Sequence, residues 1–175
     1  MDKETKLLLK KFEQCGSLSV KGTIRRWCGE LISRGLNRDV YVLKYNPKWV
    51  VKIQRTVHFD NVVEYKIWDA VRFAPADSKW FAECLTISET GLVLIQRRIE
   101  HKSISEYPKK VPYYFTDFKI QNYGWIGDRF VCCDYANVLD MLTGKMTQKT
   151  RTAKWWEAGV HRSKRNKDIS IKTEL

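Results

Sequence analysis

Apolar and polar positions run along this chain in blocks whose period changes from helical to strand-like. Asp2 to Gln14 sets Leu7, Leu8, Leu9 and Phe12 among lysines, the spacing of a short amphipathic helix that caps a larger body. A place on a membrane surface is the weaker alternative. Thr23 to Ile32 puts Ile24, Trp27, Cys28, Leu31 and Ile32 on one helical face, but Gly29 interrupts it, and a first sheet strand fits as well. After the polar turn Ser33 to Asp39 come Val40 to Leu43 and Trp49 to Ile53, two β-rich runs around Asn46-Pro47 that read as an antiparallel hairpin. Phe59 to Phe73 predicts a helix with Asp60 or Asn61 as N-cap and an inward stripe of Val63, Ile67, Ala70 and Val71. Trp80 to Ile87 and Leu92 to Gln96 are two further strands across the turn Ser88 to Gly91. Arg129 to Cys133, entered from Gly127-Asp128, reads as one arm of a hairpin.

The interval from Arg98 to Asp117 is short and carries Pro108, Pro112 and Lys109-Lys110, with little room for a long helix. Beyond Ala136 the pattern predicts a turn of helix over Asn137 to Met141 and a loop over Thr143 to Thr152. A small helix follows over Ala153 to Val160. His161 to Leu175 is basic and reads as a flexible tail. Trp155 and Trp156 fit the closing of a small core; base stacking beside the basic stretch is the alternative.

Composition narrows the class. A chain of 175 residues with 43% hydrophobic and 13% aromatic content reads as one globular domain with a substantial core. No apolar run is long enough to span a membrane, and the charged Met1 to Lys6 before Leu7 to Leu9 does not read as a signal peptide. Five cysteines without a C-x-x-C, two of them adjacent on a strand and so facing opposite ways, imply neither a disulfide nor a zinc framework. A reducing cytoplasm is the expected compartment. The net charge of +12 calls for a partner of opposite sign: a nucleotide, a nucleic acid or an acidic protein surface.

The densest candidate chemistry lies between Thr116 and Ala136. Asp117 and Asn122 flank a short polar turn, and the strand after Gly124 delivers Asp134. Two acids and an amide supply the oxygen ligands a hard ion such as Mg²⁺ takes. Asp and Asn are also common turn residues, because they hydrogen-bond their own backbone, so an ordinary loop accounts for them too.

This stretch resembles the catalytic core of the protein-kinase-like phosphotransferases. Their D-x-K-x-x-N loop corresponds to Asp117-Phe118-Lys119-Ile120-Gln121-Asn122, and their D-F-G to Asp134-Tyr135-Ala136. Upstream, Lys52 sits inside an apolar strand like the family's phosphate-binding lysine. Glu64 lies on the following helix like the glutamate that holds it. The plainer accounts are a solvated lysine on an open face and an acid favoured near a helix N-terminus. Of the G-x-G-x-x-G pattern only Gly35 remains, with Arg34 or Arg38 as conceivable substitutes in charge. The H-R that usually precedes the catalytic Asp is replaced by Phe115-Thr116, and no A-P-E follows.

The resemblance implies an α+β fold with an antiparallel small-lobe sheet, one key helix and a strongly reduced large lobe. Residues 1–160 would form one compact domain, with the small lobe over about 23–97 and the reduced large lobe over about 98–160. It implies ATP and Mg²⁺ as cofactors and a protein Ser or Thr hydroxyl as acceptor. Asp117 and Lys119 would be catalytic, and Asn122 and Asp134 would hold the metal. Gly35, Lys52, Glu64 and Ile95 would line the nucleotide site, with Ile95 as a wall against adenine unless it is simply core. A pseudokinase that docks on a host or partner protein is the alternative, and a basic nucleic-acid binder the third. Compression and basicity fit a viral or phage source, which would make the compartment host cytoplasm.

Overall fold

The chain opens with two helices, α1 (Lys3–Glu13) and α2 (Val20–Trp27), and passes directly into β1 (Cys28–Arg34), β2 (Arg38–Leu43) and β3 (Trp49–Gln54). Helix α3 (Asp60–Val71), a single turn α4 (Pro75–Ser78), β4 (Cys84–Ile87) and β5 (Val93–Arg97) follow. The computed structural model describes residues 3–14, 19–138 and 149–157. The strands form one five-stranded antiparallel sheet in the order β1-β2-β3-β5-β4, so the fold is mixed α+β as the resemblance implies. The ambiguous segment from Thr23 to Ile32 is both things in succession, the end of α2 and the start of β1. Ser19 caps α2 by accepting from the Gly22 N–H at 3.1 Å.

Both faces of the sheet are covered. On one, Leu8 and Phe12 of α1 and Trp27 of α2 pack with Val51, Ile53, Val93 and Ile95. On the other, Ile67 and Val71 of α3 meet Leu94, Phe81 and a group of aromatic residues from the second half of the chain. Strand β3 is therefore buried along its whole length. Successive side chains alternate between faces and cross-strand partners share one. Since Val51 pairs with Ile95 and Lys52 with Leu94, Lys52 points to the α3 face.

Helix α3 departs from the expected pattern at its start. Phe59 is the N-cap residue and makes no side-chain cap bond. Asp60 accepts from Asn37 at 3.0 Å, and Asn61 turns inward to donate to the carbonyls of Lys52 and Leu92. The buried stripe is Asn61, Glu64, Ile67 and Val71, with Ala70 outside it. The stripe thus carries two polar side chains into the interior, where each needs a partner.

The second half of the chain has no α-helix among the described residues after α4. It consists of a 3₁₀ turn (Ile104–Glu106), β6 (Lys110–Pro112), a second 3₁₀ turn (Ile120–Asn122) and the hairpin β7 (Tyr123–Ile126) with β8 (Arg129–Cys132). Strand β9 (Thr150–Thr152) pairs with β6, where a loop is the expectation from sequence. Ala153 to Glu157 is not helical, and Trp156 makes an isolated bridge to Lys119. Trp155 lies among Tyr107, Phe118, Tyr123 and Phe130 and donates to the Pro108 carbonyl at 3.0 Å. Trp155 closes a core, as the simpler account has it for the pair, whereas Trp156 is exposed. The tail from His161 and the positions after Val138 in the expected helical turn lie outside the described residues.

The two halves are joined by backbone. Ala82 donates to the Cys132 carbonyl and Cys132 to the Trp80 carbonyl, both at 2.8 Å. Glu100 and Trp125 exchange a reciprocal pair at 2.9 and 2.8 Å. These ladders bring the end of β8 under the α3 face of the sheet. Among the described residues no helix is long and apolar enough to cross a membrane.

Candidate functional site

Lys52 is 4% exposed, so the plain account of a solvated lysine does not apply. Its ammonium lies 2.8 Å from Glu64 Oε2 and also donates to the Cys133 carbonyl. Glu64, fully buried on α3, spends its other oxygen on Arg38 Nη2 at 2.9 Å and on the Tyr135 N–H at 3.2 Å. A buried carboxylate is tolerated only when paired and hydrogen-bonded, and Glu64 has three donors. The sequence supplies this by placing two cations on adjacent strands of one face. Val40 pairs with Lys52 and Arg38 with Gln54, so Arg38, Val40, Lys52 and Gln54 all face α3.

Arg38 continues past Glu64 to Asp134, its Nη2 standing 2.6 Å from Oδ1. Partial burial pushes the Asp134 carboxyl upward, but Arg38 and then Lys52 outweigh that and hold it below the ordinary carboxylate value. Its side chain is 45% exposed, with Oδ1 on the guanidinium. Burial pushes the neighbouring Cys133 thiol up to about 12, against the pull of Lys52.

The loop from Asp117 to Asn122 is tied to the same place. Asn122 donates its side-chain amide to Asp117 Oδ2 at 2.9 Å, and Asp117 Oδ1 accepts from the Lys119 N–H at 3.3 Å. The latter is the turn-forming bond expected of an Asp. The Cys133 N–H donates to the Asn122 carbonyl at 2.8 Å, extending the β7–β8 ladder by one rung. Lys52 is therefore linked through the backbone of Cys133 to Asn122 and Asp117, while Glu64 and Arg38 link it to Asp134. Lys119 is half-buried, and its backbone bridges to Trp156, whose carbonyl accepts from Ile120.

Two expected members stand apart. The Gly35 N–H is bonded to the Arg38 carbonyl at 2.8 Å in the β1–β2 turn, and its own carbonyl accepts from Arg55. The amide that would face a phosphate is thus engaged in the hairpin. Ile95 lies on the opposite face of the sheet from Lys52, in the core with Leu8, Phe12 and Trp27, and is not beside the other site residues. Strand alternation is the reason: the β5 residues on the Lys52 face are Leu94 and Gln96, the latter opposite Val50. Gln96 is fully buried, and its Oε1 has no partner.

Arg38 holds a central place that sequence reasoning raised only as a substitute for missing glycine amides. Arg34, raised beside it, is itself exposed and pairs instead with the buried Asp39 at 3.3 Å. A basic residue opening a strand gives no signal of its own, whereas an Asn and a Glu on the buried stripe of α3 do imply inward donors.

No protein-family model matches the sequence, and no curated protein matches it either. Among solved structures, a streptomycin–ATP–APH(2")-IIa ternary complex is similar at 11% identity and a TM-score of 0.43, covering 88% of this chain and 74% of that one.

Proposed function

We propose that this chain is an ATP-dependent phosphotransferase of the protein-kinase-like type that moves the γ-phosphate to a Ser or Thr hydroxyl on a protein. The supporting observation is the set of hydrogen bonds, running through the backbone of Cys133 and the side chain of Arg38, that links Lys52, Glu64, Asn122, Asp117 and Asp134 at one end of the β7–β8 hairpin. On this reading the strands up to Arg97 form the small lobe of one compact domain, and the hairpins that follow are a reduced large lobe.

Each side chain then has a role its chemistry fits. Lys52, oriented by Glu64, neutralises the inner phosphates. Asp117 orients the acceptor hydroxyl and takes its proton as the new O–P bond forms. The bond from the γ-phosphorus to the bridging oxygen breaks, and ADP leaves with that oxygen. Lys119 balances charge on the phosphoryl group in flight. Catalysis of this kind is mostly positioning and charge stabilisation, so loss of any one member acts on the rate.

Mg²⁺ fits the donor set, since Asp134 and the Asn122 amide oxygen are hard oxygen ligands. With its amide nitrogen on Asp117, Asn122 keeps its oxygen for an ion. A bound Mg²⁺ would supply neutralisation of phosphate charge, which is its usual part in this chemistry.

The test is incubation with γ-labelled ATP, Mg²⁺ and a mixed protein acceptor, comparing the wild-type chain with Asp117→Asn and Asp134→Ala. Transfer in the wild type that both variants abolish is the expected result. No transfer, or transfer that survives both substitutions, removes the proposal. A pseudokinase that binds a partner is the second reading, favoured by the engagement of the Gly35 N–H and by the Arg38–Asp134 ion pair. Nucleotide binding without transfer is its signature.

A further inference from the structure

Arg38 opens β2 on the sheet face that carries Lys52, and it is 8% exposed. Its Nη2 reaches Glu64 Oε1 at 2.9 Å and Asp134 Oδ1 at 2.6 Å, while Nη1 stands 3.4 Å from Asn61 Oδ1. Asp60, bonded to Asn37, is an outer partner 4.0 Å from Nε. One guanidinium thus joins the helix carboxylate to the carboxylate at the end of the hairpin. A planar fork can bond two acids at once, which an ammonium does less well. The inner cluster is balanced, with Arg38 and Lys52 against Glu64 and Asp134.

A dication that arrives alone has to displace the Arg38 guanidinium from Asp134 Oδ1, and it finds no net negative charge in the inner cluster, because Arg38 and Lys52 balance Glu64 and Asp134. A dication that arrives on a triphosphate brings its own negative charge and meets attraction instead. The arginine is also enclosed by Glu64, Asn61 and the strand, so its charge stays where it is.

We propose that Arg38 is a built-in cation that keeps free divalent ions off Asp134, so that metal enters the site only on the phosphates of a nucleotide. This rests on the phosphotransferase reading in taking Asp134 as a metal ligand. Arg38 acts through Asp134 and is a positioning residue, not a catalytic one. The arrangement makes the order of assembly a property of the protein's own charge: the empty site does not load with metal, and the nucleotide carries it in.

Mn²⁺ is the probe, titrated into the full chain without nucleotide and read as the loss of the free-ion electron spin resonance signal. The wild type binds weakly. Arg38→Met, which keeps length without charge, binds Mn²⁺ at least about ten-fold more tightly, and adding Asp134→Asn removes the gain. Unchanged or weaker binding in Arg38→Met overturns the inference. Should that variant not fold, two others decide. Arg38→Lys keeps the charge and stays within about two-fold of the wild type, and Asp134→Asn alone costs the wild type less than about two-fold. A larger loss in Asp134→Asn, or a ten-fold gain in Arg38→Lys, overturns it. Transfer from ATP is measured separately. A Mn²⁺ gain without transfer upholds the role of Arg38 and removes the phosphotransferase; transfer without a Mn²⁺ gain does the reverse.

Discussion

The peptide N–H of Cys133 donates to the carbonyl of Asn122 at 2.8 Å, one rung beyond the last pair of the β7–β8 hairpin. The carbonyl of the same residue accepts from the Lys52 ammonium. Cys133 thus couples the Asp117–Asn122 loop to the strand lysine through its backbone alone. Among the described residues its side chain makes a long contact from Sγ to the Gln121 carbonyl at 3.7 Å. A residue that works through its peptide tolerates a change of side chain. Cys133→Ala is expected to keep nucleotide affinity, measured by titration calorimetry, within about three-fold of the wild type. A loss as large as that of Lys52→Met would mean that the thiol itself contributes.

Glu64 is the opposite case, since everything it does is done by its carboxylate. It is fully buried and receives Lys52, Arg38 and the Tyr135 N–H. Glu64→Gln preserves shape but leaves two buried cations short of a counter-charge. Breaking a buried pair from one side typically costs about 3–5 kcal/mol, because the remaining charge is uncompensated. The midpoint of urea unfolding should fall accordingly, with an unchanged slope. A loss below about 1 kcal/mol would show that the two cations find other partners.

The members of the proposed site that are legible in sequence are those whose chemistry is odd for their element. Lys52 stands inside an apolar strand. Glu64 lies on a helix between apolar positions, and Asp134 ends a strand. Arg38 was not legible, because a basic residue at a strand start is most often solvated. The phase of β5 was not legible either. Val93-Leu94-Ile95 is uniformly apolar, and only its register with β3 shows that Ile95 faces α1 and α2 while Leu94 faces α3. The start of α3 failed for a related reason: Asp60 and Asn61 both fit a cap, yet each is drawn into a longer-range bond. The sheet itself, set by β-branched runs and turns, was readable almost strand for strand.

The position of Ile95 separates stability from binding. It is fully buried against Val51, Ile53 and Trp27, on the far side of the sheet from Lys52. Ile95→Ala should cost about 2–5 kcal/mol of stability through lost burial and a residual cavity. The folded fraction should bind nucleotide as the wild type does. A fluorescent ATP analogue titrated below the melting temperature reads this directly. A clear rise in dissociation constant at full folding would return Ile95 to the proposed nucleotide site.

Two glycines of the hairpin should answer differently to alanine. A Cβ on Gly124 would lie 2.6 Å from the Glu100 carbonyl oxygen and 2.8 Å from Ile99 Cδ1. The backbone of Glu100, held by its reciprocal pair with Trp125, has to give. Overpacking of this kind costs about 1–3 kcal/mol. Gly127 has open space around it but a φ of +60°, so its alanine variant suffers only the left-handed backbone penalty of about 1–2 kcal/mol. Gly124→Ala should also weaken the Glu100–Trp125 bridge, seen as faster hydrogen exchange at both amides. Gly127→Ala should leave that exchange unchanged.

Acid provides the last test, through Asp134. Its carboxyl is held below the ordinary value of 3.8 by Arg38 and Lys52, which outweigh the opposing effect of burial. A carboxyl depressed on folding binds fewer protons in the folded chain than in the unfolded one. Its stabilising contribution is therefore complete above 3.8 and disappears as pH falls through the lower folded-state value. Because the side chain is 45% exposed, solvent screening keeps that contribution to about 1 kcal/mol or less. Unfolding free energy measured in urea from about pH 6 to about pH 3 should decline at the acid end in the wild type and decline less in Asp134→Asn. High salt should narrow the difference between them, as it does for any pair that water reaches. Identical acid limbs for the two chains would mean that Arg38 stabilises Glu64 alone and only touches Asp134.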